Sequence, residues 1–152
     1  MIISLSIPSN FFFCILFFDG HARSGKSSIE RVVFHKMSPH ETLFLESTQS
    51  VDINVIANNN LIRFQTWDFG GDLSLQQDIT YSGRKISTET IFKNCSTLVY
   101  VIDAQEEDYE DALPKLVETI AAAHDMNPKI HFEVFLVNED HSSFSSFIEG
   151  NG

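Results

Sequence analysis

Residues 20–27 match the G-x-x-x-x-G-K-[ST] pattern of a phosphate-binding loop and read Gly20-His21-Ala22-Arg23-Ser24-Gly25-Lys26-Ser27. The two glycines allow a tight turn and a close approach of the backbone to an anion. The N–H groups of the loop, and of the helix that follows it, point at that anion. Lys26 supplies a positive charge for the β- and γ-phosphates, and the Ser27 hydroxyl is a Mg²⁺ ligand. The pattern therefore predicts a nucleotide-phosphate site, and a glycine-rich turn before a lysine is the alternative.

The sequence on both sides of this loop has the arrangement that the motif requires. An apolar run from Phe11 to Phe18 precedes it and predicts a buried strand over residues 12–18. Apolar residues at helical spacing follow, and they predict a helix from Gly25 to Met37 that ends at Ser38-Pro39. The apolar run also resembles the core of a signal peptide, but no positively charged segment precedes it and no cleavage site follows.

The remaining sequence alternates between predicted strands and helices. Residues 51–67 predict a hairpin that turns at residues 58–60, and residues 72–89 are expected to form a mobile loop. Strands at residues 97–102 and 130–137 flank a helix over about residues 108–124, which should start near Asp111 so that Pro114 falls in its first turn. Its apolar face is predicted to comprise Tyr109, Leu113, Leu116, Ile120 and Ala123. This order predicts an α/β domain with a mostly parallel sheet.

Composition limits the classes of function. The 152 residues suffice for one domain, and their formal charge of −11 argues against a nucleic-acid duplex or a polybasic membrane surface as a partner. Cys14 and Cys95 lie far apart in the sequence, which indicates a reducing compartment without a disulfide framework. The six histidines are scattered, so a structural zinc site is not expected.

Two further groups complete the predicted phosphate site. Asp68 ends the second strand of the hairpin and opens a D-x-x-G pattern that ends at Gly71. Such an aspartate holds Mg²⁺ through water, and the glycine N–H can reach the γ-phosphate. A threonine between the first helix and the hairpin should complete the Mg²⁺ shell. Thr42 and Thr48 are both candidates, and Thr48 is preferred because it lies closer to the hairpin.

Recognition of guanine usually needs an aspartate after a later strand, where it accepts two hydrogen bonds from the base. Asp140 follows the last predicted strand and can serve in this way, although a surface aspartate explains it nearly as well. Asp103 also ends a strand, but the acidic run that follows suits the start of a helix.

With these residues in place, the chain resembles the Rag-family GTPases, specifically the RagC/RagD type. The segments that carry the resemblance are residues 23–29, 32–39, 41–48, 67–69, 101–105 and 132–135. The resemblance covers about residues 12–140. It implies a P-loop NTPase fold, a Ras-like G domain of the α/β class with helices on both faces of the sheet, that binds GTP or GDP with Mg²⁺.

The resemblance also assigns roles to individual residues. Mg²⁺ ligation falls on Ser27, Thr48 and Asp68, and Lys26 and Gly71 would act on the transferred phosphoryl group. Nucleotide contacts are implied for Gly20, Arg23, Ser24, Gly25, Lys26, Ser27, Ser28, Thr42, Thr48 and Asp140.

Partners and location follow from the same resemblance. It implies an obligate heterodimer with a RagA/RagB-type subunit that signals amino-acid sufficiency to the target-of-rapamycin complex. The pair would be cytoplasmic and recruited to the lysosomal surface by a scaffold complex, with the nucleus as an alternative. Neither nucleic-acid binding nor direct membrane insertion is expected.

The chain departs from the family pattern at three places. The family has Pro-Gly-Gln where this chain has Gly70-Gly71-Asp72, so Asp72 replaces the glutamine that orients the attacking water. Its negative charge would face the γ-phosphate, which predicts slow intrinsic GTP hydrolysis. The lysine that packs on the base is replaced by Asn138, which lowers the expected affinity for guanine. The third place is the rearranged segment Ser82-Gly83-Arg84-Lys85, in which Arg84 can be viewed as an arginine finger acting in cis, but a solvated loop residue is favoured.

The expected layout is an unassigned lead-in at residues 1–10, an incomplete G domain at residues 11–140 and a disordered tail at residues 141–152. The last strand and helix of a G domain are not expected, which would expose the sheet near residues 132–137. The preferred function is a guanine-nucleotide switch. The alternative is a nucleotide-free interaction module or a non-functional truncated fragment, and a P-loop kinase that acts on a small molecule is a third hypothesis.

Overall fold

The computed structural model describes residues 12–57, 62–71, 78–81, 83–103 and 109–137. They form seven strands, three α-helices and one 3₁₀ helix at Pro39–Phe44. The strands are β1 (Phe12–Gly20), β2 (Val51–Ala57), β3 (Ile62–Phe69), β4 (Ile79–Tyr81), β5 (Arg84–Ile86), β6 (Thr97–Asp103) and β7 (His131–Val137). The helices are α1 (Lys26–His35), α2 (Thr88–Asn94) and α3 (Tyr109–Met126).

The main sheet has the strand order β2-β3-β1-β6-β7. β1 runs parallel to β3 and β6, β6 runs parallel to β7, and only β2 is antiparallel to its neighbour β3. The mostly parallel sheet and the β2–β3 hairpin are therefore confirmed, while the turn predicted at residues 58–60 lies outside the described residues. In such a sheet, ligands bind beyond the carboxyl ends of the strands.

Helices cover both faces of this sheet, as the sequence predicted. Along β6, Leu98, Tyr100 and Ile102 belong to the core on the side of α2 and α3. The alternate residues Val99 and Val101 belong to a second core with Ile29 and Phe34 of α1. The strand is buried on both faces because successive side chains point to opposite sides.

A buried polar cluster joins α1 to the hairpin. Glu30 is 1% exposed, and its Oε1 accepts a hydrogen bond from Thr66 Oγ1 of β3 at 2.8 Å. The same oxygen lies 2.9 Å from His35 Nε2, and the adjacent Arg31 pairs with Asp52 of β2 at 2.5 Å. A buried carboxylate is tolerated when it is hydrogen-bonded in this way. The cluster fixes the helix after the loop against β3, the strand that carries Asp68.

The first helix is shorter than predicted. It ends at His35 rather than at Met37, because Lys36 adopts a left-handed conformation (φ 57°) and its N–H returns to the carbonyl of Arg31. This arrangement closes the last turn of a helix.

Part of the predicted mobile loop is ordered, so that prediction is wrong for residues 79–81 and 84–86. These residues form the antiparallel ribbon β4–β5, in which Ile79 pairs with Ile86. Ile79 is 2% exposed and anchors the ribbon in the core. Ser87 then caps α2 by accepting a hydrogen bond from the Thr90 N–H.

The predictions for α3 were wrong in two respects. The helix begins at Tyr109, so Pro114 lies inside it rather than in its first turn. Of the predicted apolar face, Ala123 is buried and Leu116 packs against the core, but Leu113 is 52% exposed and the buried residues also include Ala112 and Thr119. Ala112 and Leu113 are both apolar, so the helical period alone did not decide which of them faces the sheet.

Strand β7 lies at an edge of the described sheet and is exposed on both faces. Val134, Phe135 and Leu136 are 44%, 41% and 65% exposed, in agreement with the exposure expected near residues 132–137. None of the described helices is long and apolar enough to cross a membrane.

Replacing Pro114 by alanine should stabilise the protein. Inside a helix, proline removes a backbone hydrogen bond and clashes with the preceding turn, at a cost of about 3 kcal/mol relative to alanine. We expect Pro114→Ala to raise the free energy of unfolding in urea by about 1–3 kcal/mol. Val117→Ala, at an exposed position of the same helix, is the control and should change it by less than about 1 kcal/mol. A neutral or destabilising Pro114→Ala would mean that the proline lies in the first turn after all.

Candidate phosphate-binding site

The loop between β1 and α1 has a backbone that glycine makes possible. Gly20 and Gly25 have φ values of 142° and 90°, in the region that side chains disfavour. A Cβ on Gly20 would also overlap with the carbonyl oxygen of Val101 on β6. Gly25 precedes α1 without any side-chain cap, and the first turn of the helix holds no acidic residue. The loop and the helix N-terminus therefore suit an anion.

The Lys26 side chain lies inside this loop and is only 5% exposed. Its Nζ donates to the Gly20 carbonyl at 2.9 Å, to the His21 carbonyl, and to Ser24 Oγ at 3.3 Å. These three acceptors are neutral loop atoms. The ammonium group is held inside the loop by these bonds, and its charge also lowers the pKa of the buried carboxyls of Asp19 and Asp68, against the rise that burial causes.

Three oxygen-bearing side chains meet beside the loop: Ser27 of α1, Thr48 before β2, and Asp68 of β3. Ser27 Oγ lies 3.1 Å from Thr48 Oγ1 and donates to Asp68 Oδ2 at 2.5 Å. Thr48 Oγ1 also lies within hydrogen-bond distance of Asp68 Oδ2, at 3.2 Å. Residues separated by more than forty positions in the sequence are thus brought together. They are the three residues to which Mg²⁺ ligation was assigned.

The arrangement of these three groups fits Mg²⁺. Octahedral Mg²⁺ with 2.0–2.1 Å bonds places neighbouring ligands about 2.9 Å apart, close to the 3.1 Å between Ser27 Oγ and Thr48 Oγ1. Asp68 Oδ1 is buried and has no hydrogen-bond partner among the described residues. Burial raises the pKa of Asp68, while the Ser27 hydrogen bond and the charge of Lys26 oppose that rise. A hard cation would stabilise the charged carboxylate and use the unpaired oxygen directly or through water.

The two glycines after β3 pack against two neighbouring segments, the Thr48 segment and the phosphate loop. Gly70 N–H donates to the Ser50 carbonyl at 2.8 Å, and a Cβ on Gly70 would overlap with the Thr48 carbonyl oxygen. A Cβ on Gly71 would overlap with the backbone nitrogen of Ala22 in the loop. The turn therefore lies between the Thr48 segment and the phosphate loop, and any side chain at either position would separate them.

A cavity of about 360 Å³ opens between these elements, and its lining includes Lys26, Ser27, Thr48 and Gly71. A neighbouring cavity of about 680 Å³ shares Arg23, Ser28, Thr42, Leu45, Glu46 and Ser47 with it. Both volumes fall within the range of small-ligand sites in proteins.

The structure separates the two threonine candidates. Thr42 lies on the 3₁₀ helix, where its Oγ1 donates to the Pro39 carbonyl at 2.7 Å. It lines both cavities, whereas Thr48 belongs to the Ser27–Asp68 cluster. Thr48 is thus the threonine that lies beside Ser27 and Asp68, and its role toward Mg²⁺ stays a prediction. Arg84 is exposed on β5.

Several predicted features lie outside the described residues. Among them are Asp72, Asn138 and Asp140, together with the lead-in at residues 1–10 and the tail at residues 141–152. Their roles remain predictions.

Sequence reasoning missed two residues that border the site. Lys115 of α3 donates to the Gly71 carbonyl at 2.9 Å. Asp19, 2% exposed at the end of β1, accepts hydrogen bonds from the Gly20 N–H at 2.7 Å and from Thr119 Oγ1 at 3.3 Å. An acidic residue at the end of an apolar run was a signal for Asp19. Nothing in the sequence connects Lys115 with Gly71.

Comparison with known proteins agrees with this geometry. Residues 15–146 match the family model of the Gtr1/RagA G protein conserved region. The chain is 47% identical over 130 residues to Ras-related GTP-binding protein C of Homo sapiens, covering 86% of this chain and 31% of that protein. It is 44% identical over 130 residues to Ras-related GTP-binding protein D of Mus musculus, covering 86% of this chain and 27% of that protein.

A fungal relative extends the comparison. The chain is 46% identical over 121 residues to GTP-binding protein gtr2 of Schizosaccharomyces pombe, covering 80% of this chain and 36% of that protein. The chain thus spans about a third of the length of these relatives. By its family match and these identities, the chain belongs to the Gtr1/RagA family of G proteins and is of the RagC/RagD type.

Proposed function

We propose that this chain binds a guanine nucleotide together with Mg²⁺ and acts as a nucleotide-dependent switch. The observation that carries the proposal is the meeting of Ser27, Thr48 and Asp68 beside a loop centred on Lys26. A bound Mg²⁺ would neutralise charge on the β- and γ-phosphates. The relatives are named as GTP-binding proteins, which supports guanine over adenine.

The protein's own groups divide the task. The loop N–H groups and Lys26 bind the phosphates, and the hydroxyl groups of Ser27 and Thr48 with the Asp68 carboxylate hold the metal. Asp140 remains the predicted contact to the guanine base. Arg23, Ser24 and Ser28 belong to the same loop and helix start, and Arg23 and Ser28 also line both cavities.

The switch would act through two segments that meet at the γ-phosphate position. Thr48 approaches from the segment before β2, and Gly71 approaches from the turn after β3. Contacts from a γ-phosphate would hold both segments, and hydrolysis would release them. Loss of a single phosphate thereby changes two neighbouring surfaces at once.

The resemblance to the RagC/RagD type further supports a partner of the RagA/RagB type, and with it a role in amino-acid signalling to the target-of-rapamycin complex. On this proposal the chain is cytoplasmic and is recruited to the lysosomal surface by a scaffold complex.

Nucleotide binding can be tested by titrating a fluorescent GDP analogue with and without Mg²⁺. We expect Lys26→Ala to weaken binding by at least about tenfold, since it removes the charge at the loop centre. Asp68→Asn should weaken binding more in the presence of Mg²⁺ than in its absence. Lys129→Ala replaces an exposed lysine away from the loop and is the matched control.

The same titration decides against the proposal if the unmodified chain shows no binding at millimolar nucleotide. That result would favour the nucleotide-free interaction module. Tighter binding of an ATP analogue than of a GTP analogue would instead favour a small-molecule kinase.

Hydrolysis should be limited by Asp72. Its negative charge would repel the γ-phosphate, so Asp72→Gln should speed single-turnover GTP hydrolysis by about tenfold, a change of about 1.4 kcal/mol in the barrier. Asp78→Gln removes an exposed charge nearby in the sequence and should leave the rate unchanged. Slower hydrolysis in Asp72→Gln would contradict this assignment.

A further inference from the structure

We propose that Lys115 of α3 is a positioning residue that holds the Gly71 turn against the phosphate loop and thereby favours a nucleoside triphosphate over a diphosphate. The inference rests on the proposed nucleotide binding and adds a device that sets the selectivity of the site. It is carried by the hydrogen bond from Lys115 Nζ to the Gly71 carbonyl at 2.9 Å, across 44 positions of sequence.

The position of Gly71 is narrowly defined. A Cβ on Gly71 would overlap with the backbone of Ala22. The preceding Gly70 donates a backbone hydrogen bond to the Ser50 carbonyl. The turn is thus held by the loop on one side and by the strand start on the other. Lys115 supplies a third attachment, from a helix on the α3 side of the sheet.

A buried acid near Lys115 attracts its charge. Asp19 lies close enough for the charge of Lys115 to lower its pKa, against the rise that burial causes. Thr119, one turn further along α3, donates to Asp19 Oδ2 at 3.3 Å. The Gly20 N–H donates to Asp19 Oδ1 at 2.7 Å, so the same carboxylate also contacts the first residue of the loop. The Lys115 ammonium group is therefore attracted to the end of β1 next to the loop, while it donates a hydrogen bond to the Gly71 carbonyl.

The position of Gly71 should affect the affinity for nucleotides that carry a γ-phosphate. A diphosphate ends before it reaches Gly71, so its affinity should depend little on where that turn lies. A triphosphate gains a contact from the turn. This contact contributes more affinity when the turn is already in position, because less conformational freedom is lost on binding. Removing the Lys115 donor should therefore weaken triphosphate binding selectively.

The test compares the dissociation constants of Mg²⁺–GDP and Mg²⁺–GTPγS for the 152-residue chain. Lys115→Met retains the aliphatic stem and removes the donor. We expect the GDP constant to stay within about twofold and the GTPγS constant to rise by about tenfold, as for loss of a hydrogen bond from a charged group. Lys115→Arg should restore most of the difference. Lys129→Met, at an exposed lysine, should change neither constant.

A double variant separates the Gly71 bond from the charge of Asp19. Asp19→Asn combined with Lys115→Met removes the unbalanced buried carboxylate, and the loss of GTPγS affinity should persist because the Gly71 bond is still missing. Recovery of GTPγS affinity in the double variant would overturn the proposal and assign the effect to Asp19. If Lys115→Met alone does not fold, the double variant compared with Asp19→Asn makes the same comparison, because the donor is the difference between the two proteins.

The remaining outcomes are also decisive. Equal losses for GDP and GTPγS, or no loss for either, would contradict a role in selectivity while leaving the proposed nucleotide binding intact. Tighter GTPγS binding in Lys115→Met would show that the turn obstructs the γ-phosphate instead of receiving it. Absence of GDP binding to the unmodified chain would overturn the proposed function itself, and this inference with it.

Discussion

The parallel pairing of β1 with β3 is the constraint on which the candidate site depends. Phe18 pairs with Asp68 in this register, so the phosphate loop leaves β1 beside the carboxylate that ends β3. Only then can Ser27, at the start of α1, reach Asp68 at 2.5 Å. A slip by one residue would turn Asp68 to the other face of the sheet, where Ser27 could not meet it. Backbone hydrogen bonds between two parallel strands thus define the chemistry at their ends.

The cluster around Glu30 protects this relation between helix and strand. One carboxylate oxygen contacts Thr66 of β3 and His35 of α1. Removing one partner of such a buried charge is costly, so the helix and the hairpin move together. In the proposed switch, the changes on loss of the γ-phosphate would fall on the segments that carry Thr48 and Gly71, which hydrogen bonds join to this rigid part. A switch needs both a rigid part and segments that can change conformation relative to it.

Local patterns in the sequence were sufficient to predict the loop, the hairpin and the Ser27–Thr48–Asp68 cluster. The motif spacing encodes the loop, and Asp68 follows a strand of clear alternating pattern. The β4–β5 ribbon was missed because its two strands are short and polar, and its order depends on burial of Ile79. The buried side of α3 and the Lys115–Gly71 bond depend on how a helix docks on a distant strand. Such information is absent from any window of a single sequence.

The edge strand β7 has a consequence for the behaviour of the chain in solution. On the side away from β6, no described strand pairs with its backbone, and together with the apolar side chains of Val134, Phe135 and Leu136 this edge is a template for pairing with another strand. The formal charge of −11 opposes such association by mutual repulsion between molecules. Acidification protonates carboxylates and weakens that repulsion, and added salt screens it. Solubility of this chain should therefore be greatest in dilute buffer at neutral or mildly alkaline pH.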